Sequence, residues 1–155
     1  MAVSFLKGDI LAAAGEANAG KVAVAFPADC AGNMDKGFAV AVAKKWPAFA
    51  EAFKGKKLEV GDVFEWNEGE LFVYALGVEK GGGKPKLSWL ERALRATVEK
   101  AQAREVQRLL LPRMTGFDWT RVKRVVEELG KATAMQIVVF EQFVRDRPAS
   151  SGDAT

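Results

Sequence analysis

The stretch Ala31-Gly32-Asn33-Met34-Asp35-Lys36-Gly37-Phe38-Ala39-Val40 lies between an apolar run at residues 22–27 and an amphipathic segment that begins at Gly37. That order reads as strand, glycine-containing loop, helix. The first N–H groups of a helix have no partner in the chain and face whatever precedes them. The helix dipole favours negative charge at the same end. Glycines let the backbone come close to a ligand. The junction is therefore a candidate phosphate or carboxylate site. An ordinary connection between a strand and a helix has the same pattern, so the surrounding sequence has to decide.

Working outward, residues 3–6 read as a first strand, running into Gly8-Asp9-Ile10. Residues 12–20 are rich in glycine and alanine and read mainly as a loop, with room for one helical turn. Residues 21–26 form a near-continuous apolar run, the pattern of a strand buried on both faces. A helix is predicted over residues 37–45, restarted at Pro47 and continued over 48–53. Residues 63–66 and 71–76 read as strands joined by a turn at Asn67-Glu68-Gly69. Lys-Gly-Gly-Gly-Lys-Pro-Lys at 80–86 is a loop. Ser88-Trp89-Leu90-Glu91 has the form of a capping box opening a helix to Ala103, with Leu90, Leu94 and Val98 at helical spacing. A strand is predicted over 106–111, a helix from Asp118 to Leu129 ended by Gly130, and a last strand over 134–140. Strands alternating with helices define an α/β protein with helices on both faces of the sheet.

A length of 155 residues suits one domain, expected over 1–146, and the Pro-, Ser- and Gly-containing stretch at 147–155 is expected to be a flexible tail. Hydrophobic residues at 49% and charged residues at 28% are ordinary for a globular protein. No apolar stretch approaches the ~20 residues that span a bilayer, and no signal-peptide pattern opens the chain. The single cysteine, Cys30, cannot form an internal disulfide and fits a reducing compartment, so the expected location is cytoplasmic. A net charge of +3 would help attract a phosphate-bearing ligand but is too small to argue for direct nucleic-acid binding. The chain has no histidine. That excludes Ser-His-Asp and Cys-His catalysis and histidine metal sites. One cysteine cannot build a thiolate zinc site, and neither a metal nor a cofactor is expected. Gly15-Glu16-Ala17-Asn18-Ala19-Gly20-Lys21 matches a phosphate-loop spacing, but Val22 follows where Ser or Thr is needed, and the chain enters a strand instead of a helix.

Three pieces together resemble a macro domain, the ADP-ribose-binding fold: Gly8-Asp9-Ile10 after the first strand, the 31–40 loop, and Pro112-Arg113-Met114-Thr115-Gly116-Phe117 before a helix. The branch they resemble most is the one containing human terminal ADP-ribose protein glycohydrolase. There the corresponding motifs are Gly-Asp-Leu or Gly-Asp-Ile, Met-Gly-x-Gly-Ile-Ala-Val, and Pro-Arg-Ile-Gly. The resemblance extends from Phe5 to Phe140 and implies a three-layer α/β/α fold with a mixed sheet of about six strands.

The resemblance implies that Asp9, with Ile10 beside it, accepts a hydrogen bond from the adenine amino group, as an ionised carboxylate is suited to do. It makes Gly32, Asn33, Met34, Asp35, Lys36 and Gly37 a first phosphate loop. Asp35 stands where the family usually has glycine, and would repel a diphosphate unless it points outward or caps the helix. Arg113, Met114, Thr115, Gly116 and Phe117 become the second phosphate loop, with Phe117 or Trp119 able either to stack on adenine or ribose or to join the core. The glycohydrolase branch uses a lysine after a central strand and an aspartate in the second loop. The lysine position is Val78 here, and the aspartate falls in a deletion of about four residues. Lys80 and Asp118 are the candidate replacements.

Three functions follow: an ADP-ribose-binding protein, acting as a reader or a divergent hydrolase; an active ADP-ribosyl hydrolase with a rearranged Lys80 and Asp118 site; or an interaction module without ligand binding. The implied partner is ADP-ribose or an ADP-ribosylated macromolecule, with no membrane involved.

Overall fold

The computed structural model describes residues 3–15, 20–35 and 37–143. They run in the order β1 (Val3–Gly8), α1 (Ile10–Ala14), β2 (Val22–Asp29), α2 (Phe38–Lys45), α3 (Pro47–Phe53), β3 (Val63–Glu68), β4 (Leu71–Glu79), α4 (Leu87–Ala103), β5 (Arg108–Pro112), α5 (Trp119–Lys131) and β6 (Gln136–Phe143). The tail expected over 147–155 lies outside the described residues.

The strands form one six-stranded sheet in the order β1-β6-β5-β2-β4-β3. β1, β6, β5, β2 and β4 are mutually parallel, and β3 pairs antiparallel with β4 at one edge. Alternation along the strands divides the core in two. Val22, Val24, Phe26, Val73, Ala75, Leu110, Val138 and Phe140 pack on one face with α1, α2 and α3. Ala23, Ala25, Tyr74, Leu76, Leu109, Leu111, Ile137 and Val139 pack on the other with α4 and α5. Both faces are covered, which is why β2 reads as an unbroken apolar run. The result is the three-layer α/β/α arrangement with a mixed six-stranded sheet that the sequence led us to expect.

The helical turn allowed for after Asp9 forms from Ile10, because the Asp9 side chain accepts from the N–H groups of Leu11 and Ala12 and caps α1. Three local expectations need correction. The hairpin turn is at Gly69 and Glu70, with Asn67 and Glu68 still paired to β4; Gly69 has φ +59°, the conformation a tight two-residue turn requires. Ser88 does not cap α4, since the helix already starts at Leu87, and Glu91 pairs with Arg95 one turn on. Gly130 does not end α5 but lies buried inside it, where a β-carbon would collide with Val3 of β1. It is a close-approach glycine between helix and strand. Where the phosphate-loop spacing at 15–21 ends, Lys21 Nζ donates to the Arg104 carbonyl and Val22 opens β2 instead of a helix.

One feature of register positions the site. β2 is paired to β5 only over Val22, Ala23 and Val24, whereas its pairing to β4 continues to Asp29. Past Val24 the ends of β2 and β5 therefore separate. Pro27 and Pro112 lie on the separating segments. Proline has no N–H to donate, so it is well suited to a strand end that has lost its neighbour. The split is also where the chain order reverses, since β2 leads through α2 and α3 to the β3–β4 side while β5 leads to β6. Such a switch point at the carboxyl ends of the strands is the general ligand position of open α/β sheets.

Candidate functional site

The split opens a cleft of about 290 Å³. Its floor is Pro27, Ala28 and Pro112, and its walls come from the loop after β2, the start of α2, the end of β4 and the loop after β5. Phe38, Val78, Pro85, Met114 and Phe117 supply apolar surface, while Asp29, Asn33, Asp35, Glu79, Arg113 and Thr115 supply polar groups. A wider concavity of about 620 Å³ lies at the opposite end of the sheet, lined by Lys21, Glu68, Glu70 and Glu105 among others. It meets the C-terminal ends of α1 and α4. Helix C-termini disfavour an anion there, whereas the smaller cleft meets the N-terminus of α2, so the smaller cleft is the candidate site.

α2 enters the cleft with its N-terminus. Gly37 is its N-cap, with φ +66° and ψ −150° and no side-chain hydrogen bond to the first turn. A β-carbon on Gly37 would meet nothing within 4 Å, and Gly37, Phe38 and Ala39 line the cleft at the helix start. The loop before it is held from within. Asp29 accepts from Ala31 N at 3.0 Å and from Asn33 Nδ2 at 2.8 Å. Gly32 is buried and packs its backbone against the end of α3.

Across the cleft, the backbone N–H of Arg113 donates to the Phe140 carbonyl at 3.2 Å, which ties the second loop to β6. The Arg113 guanidinium lies 5.1 Å from the centre of the Trp119 ring. Trp119 Nε1 donates to Glu141 Oε2 at 3.0 Å. This hydrogen bond holds the Glu141 carboxyl below its usual range against the opposing effect of burial, and Lys123 adds to the lowering. Gly116, at φ +88°, brings the second loop against Pro85, so the 80–86 loop closes the side of the cleft.

Of the residues expected from the sequence, Asn33, Asp35, Gly37, Arg113, Met114, Thr115 and Phe117 meet in this cleft. Lys36 lies outside the described residues. Ile10 is core, Gly32 serves backbone packing, and Met34 packs against the α2–α3 side of the core. Gly116 shapes its loop without lining the cleft. Asp9 stands at the carboxyl end of β1, on the same edge of the sheet but two strands beyond β5. Lys80 is exposed and does not line the cleft. Asp118 is also outside it, where it caps α5 through Thr120 N and pairs with Arg121. The lining residues Pro27, Ala28, Asp29, Phe38, Ala39, Val78, Glu79, Pro85 and Pro112 were not among the expected site residues. Pro27, Phe38, Ala39 and Pro112 fall within stretches the sequence marked, and Val78 is the position of the branch's lysine, but Ala28, Asp29, Glu79 and Pro85 carried no signal, because they depend on how far β2 stays paired to β4 and on how the 80–86 loop folds.

Cys30 follows Asp29 but is buried, and burial together with the neighbouring Asp29 charge raises its thiol pKa. We expect a disulfide reagent at neutral pH to react with the native protein far more slowly than with the urea-unfolded chain. Equal rates, read from the absorbance of the released thiolate, would contradict this placement.

No family model matches the chain, and no curated protein matches it in sequence. Solved structures do match. The macrodomain of Thermus aquaticus DarG superposes with a TM-score of 0.77 at 20% identity, over 90% of this chain and 97% of that one. A macrodomain protein from Streptomyces coelicolor gives 0.75 at 22% identity, over 90% and 99%. DarTG of Thermosipho africanus, solved in complex with ADP-ribose, gives 0.75 at 14% identity, over 98% of this chain and 44% of that longer one. This chain has the macrodomain fold.

Proposed function

We propose that the protein binds ADP-ribose, or a closely related nucleoside diphosphate sugar, free or attached to a macromolecule. The observation that carries this reading is the uncapped N-terminus of α2 opening into the cleft, with Arg113 on the opposite wall. First-turn amide groups that no side chain caps, the helix dipole and a guanidinium then converge on one space, a combination suited to a diphosphate. The complex of the similarly folded Thermosipho africanus protein with ADP-ribose supports the same choice of ligand. In this reading Asp9 receives the adenine amino group at the edge of the sheet, and the backbone at Gly37 and at Thr115 to Phe117 receives the diphosphate. The Gly8-Asp9-Ile10 and Pro112-Arg113-Met114 motifs support kinship with the glycohydrolase branch.

We further assign binding without lysine-mediated turnover. The position where that branch has its lysine carries Val78, which is buried, and neither Lys80 nor Asp118 lines the cleft. A lone buried thiol is consistent with a cytoplasmic location, and no described helix is long and apolar enough to cross a membrane.

Calorimetric titration with ADP-ribose tests the reading. Saturable micromolar binding is expected, weakened about tenfold in Asp9→Asn, where the amide oxygen still caps α1 but the acceptor-only carboxylate is gone. Absence of saturable heat at millimolar ligand would leave the fold as an interaction module. Loss of the label from an ADP-ribosylated substrate protein on incubation would overturn the assignment of binding without turnover.

A further inference from the structure

Arg113 is the only cationic side chain among the described residues that line the cleft, where it shares the walls with the carboxylates of Asp29, Asp35 and Glu79. An anionic ligand therefore depends heavily on where that one guanidinium is held. Arginine on an exposed loop normally samples many rotamers, and fixing it on binding costs entropy. Here the cost is met in advance. Arg113 Cζ lies over the Trp119 ring, 5.1 Å from its centre, within the range of a cation–π contact. The indole is pinned by its own N–H on Glu141 Oε2 at 3.0 Å. The same oxygen receives Lys123 Nζ at 3.2 Å, and Lys123 in turn stands over the Phe5 ring at 4.8 Å. The bracket thus runs from β1 through α5 and β6 to the cleft. Trp119 itself does not line the cleft, so it reaches a ligand only through Arg113.

We propose that Trp119 is a positioning residue for anion recognition, holding Arg113 over the cleft, and that Glu141 fixes the indole in that task. The proposal rests on the diphosphate-binding reading above. It also reassigns Trp119 from a ring that could stack on the ligand to one whose face is already occupied by a side chain.

Two measurements on the full chain test it. The first needs no ligand: the Arg113 Nε–Hε resonance should be ring-current shifted and ordered in the native protein, and should become averaged and mobile in Trp119→Leu. A mobile, unshifted resonance in the native protein overturns the proposal whatever the ligand proves to be. The second is ADP-ribose titration at low and moderate salt. Arg113→Ala should weaken binding about 10-fold or more, as loss of a charged hydrogen bond does. Trp119→Leu should weaken it about 3-fold or more, on the scale of a cation–π contact, and should flatten the salt dependence as Arg113→Ala does. In the Arg113→Ala background, Trp119→Leu should add nothing. Trp119→Phe, which keeps a ring face, should retain most of the affinity, and its thermal midpoint separates a folding defect from a binding one. Equal losses from Trp119→Leu with and without Arg113 would overturn the positioning role. Failure of the unaltered protein to bind ADP-ribose would instead count against the ligand reading, with the resonance experiment still deciding whether Trp119 orders Arg113.

Discussion

Phe49→Ala is expected to cost about 3–5 kcal/mol of folding stability. Phe49 sits on α3 with no exposed surface. Its ring meets Phe26 of β2 edge-on at 5.9 Å, stacks with Phe53 at 5.6 Å, and contacts Phe64 and Trp66 of β3 at 5.8 and 5.7 Å. Four aromatic partners make this the hub of the core under α2 and α3, and aromatic pairs add about 0.5–1.5 kcal/mol each beyond the area they bury. Those partners come from three separate elements and are themselves packed, so the space left by alanine cannot close. A domain of this kind has about 5–15 kcal/mol in hand, so the variant should stand near the edge of folding. Urea denaturation would read the loss as a lower midpoint at unchanged slope. Phe49→Leu, which keeps most of the volume, should lose much less. A loss below about 1 kcal/mol for alanine would mean that the helices settle into the gap and that the cluster is not the hub described.

The layers of this fold were legible in the sequence because both core faces are written into single strands. In β2, Ala23 and Ala25 pack on one face while Val22, Val24 and Phe26 pack on the other, so its apolar run reads as a strand covered twice. Element ends were less legible, for reasons that lie outside the local sequence. Gly130 looks like a helix stop, yet it is there because Val3, more than a hundred positions earlier, crosses that face of α5. Ser88 and Glu91 have the spacing of a capping box, but α4 starts one residue before Ser88, and Glu91 finds Arg95 instead.

The candidate site divides along the same line. The two loops were visible because glycine and proline punctuate them, and most of their members do meet in one cleft. The far side of the cleft was not visible. Val78 and Glu79 contribute because β4 stays paired to β2 through Asp29, and Pro85 contributes because a loop 31 positions before Gly116 folds against it. The contact between Trp119 and Arg113 was equally hidden, since a ring beside this loop reads either as a stacking surface or as core, and Trp119 packs against the core while Arg113 lies over its ring.

Gly32→Ala is the second large effect we expect, and it joins the fold to the site. Gly32 has φ +89°, which side-chain-bearing residues rarely adopt. The left-handed conformation alone costs an L-residue about 1–2 kcal/mol. A β-carbon there would also lie 2.6 Å from the Phe53 carbonyl oxygen, 3.3 Å from Gly55 N and 3.4 Å from Lys54 Cα. All three are backbone atoms at the end of α3, so no side chain can swing aside to make room. Either the loop lifts or the helix end moves, and the Gly32 N–H bond to the Asp29 carbonyl at 3.0 Å resists the first. The combined loss should reach about 2–4 kcal/mol. Gly37→Ala is the comparison without a backbone clash, because at φ +66° and ψ −150° it carries conformational strain of its own, but its methyl would meet nothing within 4 Å and the exposed site can relax. Gly32→Ala should therefore lose more stability than Gly37→Ala in urea denaturation. Its ADP-ribose affinity should fall too, since Asn33, Asp35 and Gly37 ride on the displaced loop. If the two variants proved equally stable, the contact between Gly32 and the end of α3 would not be what fixes that loop, and the cleft wall would have to be held by the Asp29 hydrogen bonds alone.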